Sequence, residues 1–296
     1  MSPARRRIVA LGLVLPAMLA LGAIVSSNWM TGLLFEPKLG CDPPPAEAAP
    51  CTVVRIPTAA GRMEGWLFPA KLPPGQPPRA VVVHAHGNGW NLEKQWRPAR
   101  DLAQRGFDVV AFDYRGFGNS EGRATRRSTV EDIGWAIAWA HGWARTRGEA
   151  PVALLGQSMG ATLSIEVGAR RPDVVAIIAD SPFDSWAGVA AANLADARWA
   201  RAVLAMPLAL LFRPSGPDPA DVVADVRVPL LIITGTADRV CPPEMSRDLA
   251  SVSRCRLLEI QGAAHVGRRT PEQAKLAEDT EVAFLDAAIG DGSGGP

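Results

Sequence analysis

The chain has 296 residues, of which 48% are hydrophobic and 21% charged, which supports one sizeable buried core and argues against a disordered chain. Its 31 basic and 30 acidic side chains leave a formal charge of +1, with no run of Lys or Arg able to track phosphates, so nucleic acid is excluded as the expected partner. Four cysteines, Cys41, Cys51, Cys241 and Cys255, lack CxxC spacing; in an exported protein Cys41–Cys51 and Cys241–Cys255 could be disulfides, and free thiols are the alternative.

At the N-terminus, Arg5, Arg6 and Arg7 precede an uncharged stretch, residues 8–25, long enough as a helix to cross most of a ~30 Å hydrocarbon core. Basic residues stay cytoplasmic, so a membrane-targeting segment is expected here, with the body on the extracytoplasmic side. Small residues at Val25-Ser26-Ser27 offer a cleavage site without the Ala-X-Ala pattern; a retained signal-anchor over 1–28 is therefore expected, and secretion after cleavage is the alternative. The Pro- and Ala-rich residues 29–50 read as a stiff linker, 51–288 as the folded domain and 289–296 as a flexible tail.

Short apolar or β-branched runs recur at 52–56, 63–68, 80–84, 109–112, 152–155, 174–179, 230–234 and 256–260. The first two are joined across Ala59-Ala60-Gly61, the signature of an antiparallel hairpin. From residue 80 onward, helix-length segments at 92–105, 129–145, 159–170 and 243–252 separate the runs, and a final helix closes the chain. This alternation predicts an α/β fold, a mostly parallel sheet with helices on both faces, because parallel neighbours need crossovers and a doubly covered sheet needs apolar strands.

The run at 152–155 leads into Gly156-Gln157-Ser158-Met159-Gly160 and then a helix. A strand, a sharp turn and a helix around Gly-X-Ser-X-Gly put a strained serine at the strand's C-terminal edge, with glycines where side chains would collide with neighbouring backbone. Ser158 is thus the candidate nucleophile, at a helix N-terminus whose amides favour negative charge on a substrate oxygen. It needs a base, and the base needs a carboxylate. Of the four histidines, His84 lies in an apolar strand, His86 before a glycine turn and His141 on a surface helix, which leaves His265 in the loop before the last helix. Asp238, in the loop after the strand at 230–234, completes the order Ser, Asp, His; Asp180, after the preceding strand, is the second choice and otherwise shapes the pocket floor. Two backbone donors are needed for the tetrahedral oxyanion, and the amides of Asn88 and Met159 are assigned to it, with Gly89 as second choice for the former. The glycine-bearing stretch 113–122 fits neither phosphate-binding pattern and reads as a structural loop beside the elbow.

His86-Gly87-Asn88, Asp113-Tyr114-Arg115-Gly116, Gly156 to Gly160, Asp180-Ser181-Pro182-Phe183, Gly235-X-X-Asp238 and Gly262-X-X-His265 together resemble the α/β-hydrolase superfamily. Its serine aminopeptidase-like and monoacylglycerol-lipase-like branch is most similar, over residues 52–288. The resemblance implies an α/β-hydrolase fold with Ser158, Asp238 and His265 as nucleophile, acid and base, and neither metal nor cofactor. It implies a small-molecule acyl substrate without fixing which one. Only about forty residues, 184–225, are left for a cap, so a short helical lid is expected, with the apolar stretch 202–212 either walling an acyl pocket, touching a bilayer or packing in the core. The expected activity is hydrolysis of carboxylic esters or related acyl compounds. A serine aminopeptidase, an acyltransferase and a catalytically silent membrane-tethered binding protein are the alternatives, and oligomeric state stays open.

Overall fold

A computed structural model describes residues 35–194 and 216–292. In chain order the elements are β1 (Thr52–Thr58), β2 (Gly61–Phe68), β3 (Val81–Ala85), α1 (Leu92–Gln95), α2 (Arg97–Gln104), β4 (Asp108–Phe112), α3 (Arg126–Arg145), β5 (Val152–Gln157), α4 (Met159–Gly168) and β6 (Ile177–Asp180). There follow α5 (Trp186–Leu194), α6 (Pro219–Val222), β7 (Leu230–Gly235), α7 (Pro243–Ser251), β8 (Cys255–Ile260) and α8 (Pro271–Gly292). The strands form one eight-stranded sheet in the order β1-β2-β4-β3-β5-β6-β7-β8. The hairpin β1–β2 and the β2–β4 pair are antiparallel, and every later pair is parallel.

Alternation within the strands explains the two helical layers. Val81, Val83, Leu154, Ile177 and Ile232 face a core shared with Ile133 and Ile137 of α3, Leu163 and Ile165 of α4 and Leu249 of α7. Their neighbours Val82, Ala153, Leu155, Ile178 and Ile233 face a second core with Trp96, Leu102 of α2 and Leu285 of α8. Burial on both faces is why these strands read as near-continuous apolar runs.

Three boundaries differ from the sequence expectation. Residues 92–105 form two helices, because Pro98 has no amide to continue α1 and sits instead in the first turn of α2, where that amide has no partner to lose. The helix expected from residue 129 begins at Arg126, capped by a reciprocal pair of hydrogen bonds between Thr125 and Ser128. The strand expected over 174–179 pairs as Ile177–Asp180, which brings Asp180 onto the strand end.

The Pro- and Ala-rich stretch is not a free spacer over its described part. Pro37 and Leu39 bridge Trp90 and Gly118, and the backbone exchanges two 2.9 Å hydrogen bonds with Gly118 through Lys38 and Gly40. Phe35 is buried with its ring 5.8 Å from Trp186, and Ala48 is fully buried. Apolar anchors and backbone pairing hold this segment to the body more firmly than proline stiffness holds it away. All four cysteines are free thiols, as in the second of the two alternatives. The membrane segment expected at residues 8–25, the cap stretch 202–212 and the last residues of the expected tail lie outside the described residues. No helix among the described residues is long and apolar enough to cross a membrane. Of the expected cap, the described part consists of α5, α6 and a single 3-10 turn at Val223–Asp225.

Candidate active site

The turn between β5 and α4 holds Ser158 at φ 54° and ψ −117°, a left-handed conformation that L-residues avoid. What makes the turn possible is glycine on both sides. A Cβ at Gly156 would lie 2.3 Å from the Gly160 carbonyl oxygen, and one at Gly160 would lie 2.0 Å from that of Ala85. The same closeness sets the N-terminus of α4 against the end of β3. At that strand end a Cβ on Gly87 would stand 3.3 Å from Ser158 Cβ, so the loop 86–89 touches the serine directly.

His265 comes from the loop after β8 and Asp238 from the loop after β7. His265 Nε2 lies 2.9 Å from Ser158 Oγ, and His265 Nδ1 lies 2.7 Å from Asp238 Oδ2. The other carboxylate oxygen of Asp238 accepts hydrogen bonds of 2.9 Å from the amides of Val240 and Cys241. A carboxylate only accepts, so His265 carries its proton on Nδ1 and presents a free lone pair at Nε2 toward the serine hydroxyl. The Asp238 side chain is fully buried and that of His265 is 12% exposed, so the relay is sheltered at one end and open at the other. Three residues separated by up to 107 positions thus converge at the C-terminal edge of the sheet.

Ser158 and His265 border a cavity of about 460 Å³ whose wall also includes Gly87, Asn88, Asp180, Arg269 and Glu281. Asn88 is in the cavity wall, with its side-chain oxygen accepting from the Glu36 amide at 3.0 Å. Met159 is the first residue of α4, where amides have no acceptor within the helix. A model of the family described as serine aminopeptidase, S33, matches residues 76–217. YfhR of Salmonella typhimurium, described as an uncharacterized protein, is 30% identical over 262 residues, 83% of this chain and 84% of YfhR.

The chain belongs to the α/β-hydrolase superfamily.

Two further likenesses agree. The α/β-hydrolase domain-containing protein 17C of Xenopus tropicalis is 30% identical over 220 residues, covering 72% of this chain and 64% of that protein. The solved structure of the Pyrococcus furiosus esterase Pf2001 superposes with a TM-score of 0.68 at 20% identity, over 86% of this chain and 99% of that one, a likeness of fold.

In this α/β-hydrolase the other histidines are placed where they cannot serve Ser158. His84 is wholly buried in β3 and burial, with His86 nearby, pushes its pKa down to about 4, so it stays neutral beside Gln157. His86 is buried against Tyr114 and Phe117 and lies 3.2 Å from Asp113, whose carboxyl is pushed up by burial. His141 lies on α3, 3.2 Å from Asp173. The stretch 113–122 packs under the β3 loop: Tyr114 donates its hydroxyl hydrogen bond to the His86 carbonyl at 3.0 Å, and Asp113 accepts from the Leu92 amide at 3.0 Å. It is a support, as its sequence suggested.

Asp180 is committed elsewhere than to His265. Its carboxylate takes a two-pronged pair from Arg269, with contacts of 2.8 and 2.5 Å, while its carbonyl accepts from the Ser158 amide at 2.8 Å. Gln95 and Cys241 are neighbours that sequence reasoning did not single out. The Gln95 side chain accepts from the Gly87 amide at 3.0 Å and donates to the carbonyls of Gly87 and Gly89 at 3.2 and 3.0 Å, bracing the loop that touches Ser158. Its only signal was its place one turn beyond that loop. Cys241 is buried beside Asp238 and Ser158; burial first, then the Asp238 charge, pushes its thiol well above the ordinary range, which keeps it protonated and unreactive.

Proposed function

We propose that this α/β-hydrolase is a serine hydrolase that cleaves carboxylic esters or closely related acyl compounds through an acyl-enzyme. The observation that carries the reading is the continuous hydrogen-bonded line Ser158–His265–Asp238, with contacts of 2.9 and 2.7 Å. His265 Nε2 takes the Ser158 proton as Oγ attacks the acyl carbon, and the buried Asp238 carboxylate stabilises the imidazolium that results. The carbonyl oxygen becomes an oxyanion, and the backbone amides of Asn88, in the cavity wall, and Met159, at the N-terminus of α4, are the donors assigned to it. His265 then gives its proton to the leaving group. Water, activated by the same imidazole, attacks the ester at Ser158 and releases the acid.

Turnover of a chain-length series of p-nitrophenyl esters, acyl thioesters and aminoacyl amides tests the reading. Ester or thioester hydrolysis is expected, reduced roughly 10³-fold or more in Ser158→Ala. Ester turnover unaffected by that substitution would sink the assignment. The match to the serine aminopeptidase model favours a second reading, in which the scissile bond is an N-terminal amide. Aminoacyl-amide turnover exceeding ester turnover, and likewise dependent on Ser158, would select it.

A further inference from the structure

The cavity above Ser158 is closed on one side by ionisable groups that acyl transfer does not use. Arg269 and Asp180 form a buried pair whose charges cancel, with the Arg269 side chain 3% and that of Asp180 2% exposed. Glu281, from the inner face of α8, lines the same cavity at 6% exposure, and no hydrogen bond or ion pair engages its carboxyl among the described residues. It is therefore the buried carboxyl of this wall that lacks a hydrogen-bonded partner, and Arg269 acts on it through its charge alone. Burial, reinforced by the Asp180 charge and opposed by Arg269, pushes its pKa up to about 8. Glu278 on the same helix also raises it, and the neutral His265, with Asp101 and the exposed Lys94 and Arg97, completes the titratable and charged groups around the cavity.

Such a wall has a definite complement. Asp180 engages both terminal nitrogens of Arg269 and neutralises its charge, leaving only the uncharged demand of the buried Nε, so the excess charge this wall can develop is that of Glu281, which is negative and is met by a cationic donor. We propose that Glu281 is the recognition group of a subsite for a primary ammonium carried by the substrate, on the portion of the molecule remote from the acyl bond. As a statement about substrate, this rests on Ser158 being the nucleophile; as a statement about binding, it does not. The step balances simply: an ammonium entering at neutral pH meets the Glu281 carboxyl, the carboxyl loses its proton to solvent, and the ammonium and carboxylate pair.

Calorimetric titration of the full chain with n-pentylammonium and with 1-pentanol, its neutral counterpart of similar length, tests the subsite without turnover. The ammonium is expected to bind about tenfold or more tightly, releasing a proton at pH 7, and Glu281→Gln is expected to abolish the difference. Equal affinities in the unsubstituted protein, or an ammonium preference that survives in folded Glu281→Gln, would overturn the proposal. Should Glu281→Gln fail to fold, the pH series decides: the ammonium preference must grow as pH rises toward about 8, and a preference independent of pH over that range counts against it. Labelling of Ser158 by a fluorophosphonate, run alongside, separates the outcomes. Lost labelling with retained ammonium preference rejects the hydrolase reading alone, and the converse rejects the subsite alone.

Discussion

Asp238 holds three N–H donors on two oxygens, and this arrangement sets the His265 tautomer more than any long-range field does. Asp238→Asn keeps the shape but replaces one acceptor by an amide donor, so His265 must present a proton to the serine in place of a lone pair. Steady-state kinetics should record a fall in kcat of roughly 10²- to 10⁴-fold with the fold intact. Gln95 acts at one remove, through the loop 86–89. Gln95→Leu leaves Gly87 and Gly89 without their brace, and kcat is expected to fall about 10- to 100-fold with little change in KM, since an amide aimed at the oxyanion matters in the transition state more than in the ground state. A KM rise with unchanged kcat would instead place Gln95 in substrate binding. Ser158, Asp238 and His265 were legible because the chemistry demands a small set of residue types in a fixed chain order. Gln95 and Glu281 were not, because a glutamine on a short helix and a glutamate on the last helix have the residue types of ordinary solvated surface, and only tertiary packing turns them inward.

Strand ends carry the site, and helices fix how near those ends approach. α4 begins against the end of β3, and Gly160 is the point of contact: Gly160→Ala places a methyl 2.0 Å from the Ala85 carbonyl oxygen, so strand and helix must part. Chemical denaturation should show a loss of about 1–3 kcal/mol, with activity falling further because the displaced loop carries Asn88. On the opposite side of α4, Arg126 of α3 pairs with Glu166 at 3.2 Å and donates to the carbonyls of Gly216 and Pro217, while the Trp186 indole of α5 donates to the same Glu166 at 3.1 Å. Arg126→Met strands a buried carboxylate and is expected to cost roughly 3–5 kcal/mol in urea unfolding. Adding Glu166→Gln should recover part of that loss, whereas strictly additive losses would mean the two side chains do not act together. The strands and most helices were readable from periodicity because each strand is buried on both faces. The break at Pro98 and the docking of residues 35–50 were harder to read: the first is a local exception within an amphipathic run, and the second depends on Phe35 finding Trp186 some 150 residues away.

At the scale of the whole molecule, two of the buried groups that give stability a pH profile act in opposite directions. His84 titrates near 4 when folded against an ordinary 6.5, so the unfolded chain binds more protons between those values and stability rises with pH across that window. Glu281 is the reverse case: a folded value of about 8 against 4.5 means the native state holds the extra proton, and stability falls as pH rises from about 4.5 to 8. The two oppose each other up to about pH 6.5. Above it the His84 contribution is complete, and Glu281 lowers stability by about 1.4 kcal/mol per pH unit at most. Thermal unfolding should therefore show the unsubstituted protein losing stability between pH 6.5 and 8, and Glu281→Gln flattening that decline. A decline of equal slope in both proteins would remove Glu281 from the account.

The mostly parallel sheet, its two helical layers and the three loops at its C-terminal edge together have one consequence that can be observed directly. Intact-mass and peptide mass spectrometry after brief exposure to a fluorophosphonate should find one adduct per chain, located at residue 158. Formation of the adduct should slow at least roughly 10³-fold in His265→Ala and be absent in Ser158→Ala. An unlabelled native protein, an adduct on another residue, or labelling as fast without the imidazole as with it would contradict the proposed relay.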